Sequence, residues 1–339
     1  MHDMRAEITP QVGVALVNWN GGEYTIPCIR SLLAGTVKPT FIVVVDNASQ
    51  DGSPEQIAAV FPQVVMIRNQ RNEGFAGANN QAIAYLLAQN VEYIWVLNND
   101  TTVAPDCLET LVRIAGTHPA AGYSAKIYYE TPPDRIWYAG AYRHPWHCAP
   151  KHELTLRMES LAVDGAVAVD FISGCSIFAP ADILYRYGAF NTGYIAYSED
   201  SDWCWRMQRA GLPLYFVPGA VLWHHLSASL RKNTANGRSD EITPFAVRLM
   251  VRNHLWTVRT HLQQRARRWF HLGVNLGIQV RNVVLSTLRG NWPFAQATLQ
   301  GLWEGFICNV PADVPQWKDL SKYDGSAERC VQPGRLHRK

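Results

Sequence analysis

The chain has 339 residues, 47% of them hydrophobic and 17% charged, which is ample for a packed core in roughly two domains and excludes global disorder. No apolar run approaches the roughly 18 residues of a membrane span, the polar start MHDMRAEITPQ does not read as a secretory leader, and the seven cysteines form no C-x-x-C pair. Multi-span membrane protein, collagen, coiled coil, solenoid, zinc ribbon and disulfide framework are thereby set aside, and the thiols read as small buried groups in a reducing, cytoplasmic compartment. The net charge of +3 hides a split: residues 1–224 carry 14 basic and 21 acidic side chains, and residues 225–339 carry 17 and 7.

The first third alternates strand and helix signals. VGVALV (12–17), FIVVV (41–45), VVMI (64–67) and YIWVL (93–97) are short apolar runs, as strands buried on both faces should be. Helices are expected over Tyr24–Ala34, from Pro54 to about Val60, over Ala78–Ala88 and after Pro105. This order predicts an open sheet with parallel strands and helices on both faces. Residues 130–165 read as an irregular insertion, 166–180 returns to strand, and 198–211 is a helix with acids in its first turn and Gly211 as its stop. LYFV and VLWHH follow as two short strands, 227–243 reads as a linker, and helices run from Thr243 to about Phe306.

In an open α/β sheet, ligands bind beyond the carboxyl ends of the strands. Here those ends read NWNGG, DNASQDGS, RNQRNEGFAGANN and NNDTT, each polar and rich in Asp, Asn and Gly. One such loop is an ordinary turn; four on one edge predict a polar ligand site. Asp46 is placed to accept from a base or ribose, or to cap its own turn. Asp100, after two asparagines, offers a carboxylate to a hard divalent cation that keeps further positions for a diphosphate. There is no P-loop and no G-x-G-x-x-G after a strand, which argues against an ATPase or a dinucleotide-binding fold. Glu199, Asp200 and Asp202 crowd one helix start, where mutual repulsion raises a carboxyl pKa towards duty as a base and the helix dipole favours acids regardless. His224-His225 ends a strand that this topology can return to the sheet edge. His144, His147, Cys148 and His152 match no metal-ligand spacing and read as loop residues.

Seven blocks together, VNWNG (17–21), VVVDNASQDGS (43–53), RNEGFAGANNQAI (71–83), WVLNNDT (95–101), FISGCSIFAP (171–180), YSEDSDWCWRMQRAG (197–211) and AVLWHH (220–225), resemble the family 2 inverting glycosyltransferases, in particular their bacterial rhamnosyltransferase-like branch. The resemblance covers roughly residues 10–260. It implies a GT-A fold, a Rossmann-like mixed sheet flanked by helices, here with a C-terminal helical extension. The implied domains are a catalytic unit over 1–226, with a donor half at 10–125 and an acceptor half at 166–226, and a basic helical region over 244–339.

The resemblance further implies a sugar-nucleotide donor and a divalent metal, Mn2+ or Mg2+. Asn18, Trp19, Asp46, Asn72, Gly74 and Asn80 match nucleotide-facing positions. Asp100 matches the last acid of the D-x-D motif and His224 the histidine that completes the metal site, with His225 as the alternative. Asp200 matches the catalytic base, and Glu199 and Trp203 are assigned to the acceptor. Asn98 replaces the first acid of D-x-D, which leaves the number of protein ligands to the metal open. The implied acceptor is a glycan or lipid-linked sugar in cell-surface polysaccharide assembly, reached from the cytoplasm or from the cytoplasmic face of the inner membrane.

From Ile242 to Trp303 there are eight arginines and neither lysine nor acid, interspersed with tryptophans. Such helices suit an anionic membrane surface or a subdomain packed on the catalytic core; no nucleic-acid readout motif accompanies them. Galactofuranose, glucose and N-acetylhexosamine donors, self-association, a non-catalytic sugar-nucleotide-binding scaffold and, more weakly, a nucleotidyltransferase remain as alternatives.

Overall fold

The structure is a computed structural model that describes residues 10–151, 165–225, 242–310, 313–317, 320 and 328–329. The first third of the chain follows the predicted alternation. Strands β1 (Val12–Asn18), β2 (Phe41–Asp46), β3 (Val65–Arg68) and β4 (Tyr93–Leu97) are interleaved with helices α1 (Gly22–Leu33), α2 (Ser53–Val60) and α3 (Gly74–Ala88). β1 pairs in parallel with β2 on one side and β4 on the other, and β2 pairs in parallel with β3. Val14, Leu16, Val43, Val44, Ile94 and Trp95 are fully or almost fully buried, as apolar runs covered on both faces must be.

Beyond β4 the sheet ceases to be purely parallel. The chain continues through β5 (Thr101–Val103), α4 (Cys107–Thr117), β6 (Gly122–Tyr129) and the short β7 (Ile136–Tyr138), β8 (Tyr142–Arg143) and β9 (Pro150–Lys151). Then come β10 (Val167–Val169), β11 (Ser176–Pro180), α5 (Ala181–Tyr187), α6 (Glu199–Arg209) and β12 (Leu214–His224). The main sheet runs β10-β12-β6-β11-β4-β1-β2-β3 and ends on β13 (Glu328–Arg329). β11 lies antiparallel to β4, and the buried Trp95 Nε1 fastens the two by donating to Ser176 Oγ at 3.0 Å. LYFV and VLWHH, expected as two strands, form the single β12, whose pairing with β6 shifts register between Val217 and Val221 across Pro218-Gly219. Proline cannot donate to the ladder, so the strand bulges there rather than ending.

The C-terminal helices are α7 (Pro244–His261), α8 (Arg265–Leu288) and α9 (Trp292–Ile307). Thr243 caps α7 by accepting from Ala246 N at 3.2 Å, with Pro244 in the first turn. Gly290, at φ +71°, makes the turn between α8 and α9. α7 packs on both α9 and α6, and Trp205 of α6 joins Val251, Leu255 and Val258 in a second apolar cluster. Of the expected linker 227–243, only its last two residues are among those described; His152 and Cys330 also lie outside them. Cys28, Cys107, Cys148, Cys175 and Cys204 are free and buried.

Candidate active site

The strand ends meet as a hydrogen-bonded edge. Register pairs Asn18 with Asp46 and Asp46 with Arg68. Asn18 is fully buried; its Nδ2 donates to Asp46 Oδ1 at 3.0 Å and Ser53 Oγ at 2.8 Å, and its Oδ1 accepts from Thr25 Oγ1 at 2.8 Å. Thr25 Oγ1 in turn accepts from Asn99 Nδ2 at 2.7 Å, which ties the first strand end to the fourth. Asp46 also accepts from Ser49 N at 3.1 Å, so the turn-capping role is present in the fold. Trp19 projects from this edge and is 46% exposed.

Asn47, which sequence reasoning did not single out, organises the neighbouring loop. Its Nδ2 donates to Asn72 Oδ1 at 2.8 Å and its Oδ1 accepts from Glu73 N at 2.9 Å. Asn72 Oδ1 also accepts from Gly74 N at 2.8 Å. Gly74 adopts φ +75°, and a Cβ there would stand 2.8 Å from Ile195, so both conformation and space demand glycine.

Two expected site residues have other work. Asn80 is buried, donating from Nδ2 to Phe190 O at 2.7 Å and accepting from Phe190 N at 3.0 Å, so its amide pins α3 to the chain before α6 rather than facing a nucleotide. Trp203 is fully buried against Gly122, where a Cβ would come within 2.9 Å of its ring. It packs the core and is withdrawn from the acceptor side. In both cases the helix face that carries the residue turns inward.

Asp100 and His224 come together because β12 lies antiparallel to β5, placing His224 opposite Thr101. Asp100 Oδ1 stands 3.0 Å from His224 Nε2, and both side chains are buried. Burial works against both charges. The imidazolium overcomes it at Asp100, holding that carboxyl below its usual range, and Asp100 in turn raises His224 well above the usual histidine value. Asn98 brings Nδ2 to 3.4 Å from the same His224 nitrogen, and its Oδ1 is buried with no hydrogen-bond partner among the described residues. His225 faces elsewhere, 3.8 Å from Glu130. No group of three His, Cys, Asp or Glu side chains arranged to hold a metal ion by themselves occurs among the described residues. A carboxylate, an imidazole and an orphaned amide oxygen nevertheless fit a divalent cation that takes its remaining ligands from a diphosphate.

Asp200 sits at the start of α6, where its Oδ2 accepts from Gly174 N at 2.9 Å and its Oδ1 from Ser201 N at 2.6 Å. A Cβ on Gly174 would stand 3.2 Å from the Asp200 carboxyl, so the glycine forms a close cradle. The next residue, Cys175, accepts from Asn98 N at 3.0 Å and has its thiol beside His224. Gly174 and Cys175 thus join Asp200 to the Asp100–His224 pair. Burial raises the Asp200 carboxyl. Burial, and after it the charge of Asp200, raises Glu199 to about 8, and Glu199 Oε2 has no partner among the described residues.

Residues 14–178 match the family described as Glycosyl transferase family 2. They are a family 2 glycosyltransferase domain. The N-acetylglucosaminyl-diphospho-decaprenol L-rhamnosyltransferase of Mycobacterium tuberculosis is 25% identical over 256 residues, covering 68% of this chain and 80% of that protein. Succinoglycan biosynthesis protein ExoO of Rhizobium meliloti is 35% identical over 107 residues, 31% of this chain and 30% of its own length. Among solved structures, GalNAc-T7 with UDP, GalNAc and Mn2+ superposes with a TM-score of 0.56 at 17% identity, covering 74% of this chain and 48% of that one. S. aureus TarS 1-349 in complex with UDP gives a TM-score of 0.50 at 12% identity, covering 76% and 68%. These structures establish the mixed α/β sheet as a GT-A fold.

The matched family 2 segment stops before α6, and the element that holds α6 in place lies further on. The turn before it contains Ile195, Tyr197 and Ser198 at φ between 65° and 67°, a conformation costly for any of the three and most of all for a β-branched residue. Asn253 of α7, fully buried, sets its Nδ2 2.9, 2.9 and 2.7 Å from the carbonyls of Tyr194, Ala196 and Tyr197. On the other side, Ile195 O accepts from Ala76 N at 3.1 Å, directly behind the Gly74 loop. One strained turn therefore touches the Gly74 loop and delivers Asp200. An asparagine in the middle of a helix carried no signal for this in the sequence. Asn253→Ala is expected to lower kcat about 10²-fold by misplacing Asp200. A comparison of kcat with nucleoside diphosphate binding checks this: a merely structural loss would lower the apparent kcat and the number of binding sites together with the folded fraction, whereas mispositioning leaves both the site number and Kd near their original values.

Proposed function

We propose that the protein is an inverting, metal-dependent glycosyltransferase that moves a sugar from a nucleotide-diphosphate donor to a hydroxyl of a glycan or lipid-linked acceptor. The observation that carries this reading is the continuous run Asp100–His224–Cys175–Gly174–Asp200, which sets a cation-ready pair beside a buried carboxylate of raised pKa. The Asp46 edge and Trp19 hold the nucleoside, with Asn18, Asn47 and Asn72 fixing their loops. Asp100 and His224, with Asn98 Oδ1 alongside, would hold a divalent cation, which would neutralise charge on the leaving diphosphate. Asp200 accepts the proton of the acceptor hydroxyl as its oxygen bonds to the anomeric carbon from the face opposite the leaving group. The bond from that carbon to the diphosphate oxygen breaks with its electron pair, and configuration inverts.

The name of the Mycobacterium tuberculosis relative, an L-rhamnosyltransferase acting on N-acetylglucosaminyl-diphospho-decaprenol, supports L-rhamnose as the donor sugar and a polyprenyl-diphosphate sugar as the acceptor, and the family resemblance suggests dTDP as the carrier nucleotide. A lipid-linked acceptor of this kind would put the reaction at a membrane surface. Thermal melting of the full chain with UDP, GDP, dTDP and their sugars, with and without Mn2+, tests the reading. One nucleotide is expected to raise Tm only when metal is present, in proportion to its excess over Kd. Well-folded protein that shifts with none of them, in detergent or out of it, overturns the reading in favour of a scaffold.

A further inference from the structure

α8 and α9 form a hairpin whose outer surface is unlike the rest of the molecule. Leu276, Val280, Val284 and Leu288 follow one another at four-residue intervals along α8, and all are exposed, Leu288 by 78%. From Leu276 to its end, α8 buries no residue against the described chain. Trp269 and Phe270 stand exposed near its start, and Trp292 and Trp303 stand exposed on α9. With about 1.5 Å of rise per residue, the run from Leu276 to Leu288 alone offers an apolar edge roughly 18 Å long. No described helix is long and apolar enough to cross a membrane.

The charge around this edge has one sign. Arg265, Arg267, Arg281 and Arg289 are exposed, and none has an acidic partner among the described residues. The single acid of α9, Glu304, is ion-paired with Arg248. A face for a second copy of this chain would need acids to meet these arginines, and the hairpin carries none to spare. An apolar edge with tryptophans, fringed by unpaired arginines, matches the interface of a bilayer that contains anionic lipid.

We propose that the α8–α9 hairpin lies in the surface of an anionic membrane and seats the catalytic unit there. The inference rests on these helices and not on the glycosyltransferase reading, and vesicle binding measured without donor or metal separates the two. The probe is flotation of the full chain with vesicles of phosphatidylcholine alone and of equal parts phosphatidylcholine and phosphatidylglycerol. The protein is expected to float with the second kind and to bind more weakly as salt rises. Each basic side chain near such a surface contributes roughly fivefold in partition, so Arg265→Gln, Arg267→Gln and Arg281→Gln together should weaken binding about a hundredfold. Val280→Ser with Val284→Ser should weaken it further while leaving Tm unchanged, because both side chains are exposed. Two results overturn the proposal. One is no binding to the anionic vesicles, or binding that both sets of variants retain. The other is a concentration-dependent dimer in sedimentation that Trp303→Ser dissolves, which makes the face an interface between copies.

Discussion

Asp200→Asn is expected to lower kcat about 10³-fold, roughly 4 kcal/mol of lost transition-state stabilisation, while leaving nucleotide affinity nearly unchanged. The amide cannot accept the proton of an acceptor hydroxyl. It also turns an NH2 towards one of the two backbone donors, Gly174 N or Ser201 N, that the carboxylate now satisfies. A stability loss of about 1–3 kcal/mol is expected from that clash of donors, so rate must be measured on protein shown to be folded. Glu199→Gln is the informative companion. Burial and the neighbouring Asp200 hold the Glu199 proton to about 8, against 4.5 for an ordinary glutamate, so at neutral pH glutamine replaces a neutral group of the same shape. Activity at pH 7 should therefore stay within a few-fold, and a collapse in Glu199→Gln with survival of Asp200→Asn would exchange the two roles. The same shift makes a stability prediction. The native state holds a proton that the unfolded chain releases above 4.5. The stabilisation is thus complete below pH 4.5 and is lost as pH rises through about 8. Thermal melting across pH should show wild type falling below Glu199→Gln on the alkaline side and matching it in acid.

Asp100→Asn should separate metal-dependent binding from the rest. Asn keeps the shape but removes the charge that faces His224 at 3.0 Å and that a cation requires. With Mn2+ present, affinity for nucleoside diphosphate is expected to fall about 10²-fold and kcat by at least as much, because several kcal/mol of charge neutralisation at the diphosphate is lost. With chelator present, wild type and variant should bind alike. Isothermal titration in both conditions is the check, and a variant that kept its metal-dependent affinity would remove Asp100 from the cation site. Removing the carboxylate also deprives the raised imidazolium of its partner. The His224 pKa should therefore fall in the variant, a change that histidine chemical shifts report directly.

The donor half was legible from residue order because its signals are local. Valine-rich runs too short for helices mark β1 to β4, and each stops at an Asn or Asp that a buried ladder cannot continue. The observed strands fall within a residue or two of the expected ones, and Pro54 opens α2 as its fixed φ suggests. β6 was not anticipated: GYSAKIYY mixes polar and aromatic residues, and only pairing with both β11 and β12 makes it a strand. Trp203 and Asn80 show the opposite error. A motif block gives the neighbourhood of a residue and not the direction of its side chain. One step along a helix turns that direction by about 100°, from cleft to core.

By itself the sequence determined the alternating α/β half, the polar strand ends, the acids at the head of α6 and the arginine-rich helices after 242. All of these are statements about neighbours in the chain, where periodicity, capping and composition act. The tertiary structure decided which of those groups meet. His224 reaches Asp100 across 124 residues only because β12 folds back onto β5. Gly174 and Cys175 link that pair to Asp200 only because β11 runs antiparallel beside β4. Asn253 holds the strained turn behind Asp200 only because α7 packs there, and unpaired carbonyls buried at that point would be too costly to leave without a donor. Side-chain direction and burial are set by contacts between distant segments, and these placed the chemistry.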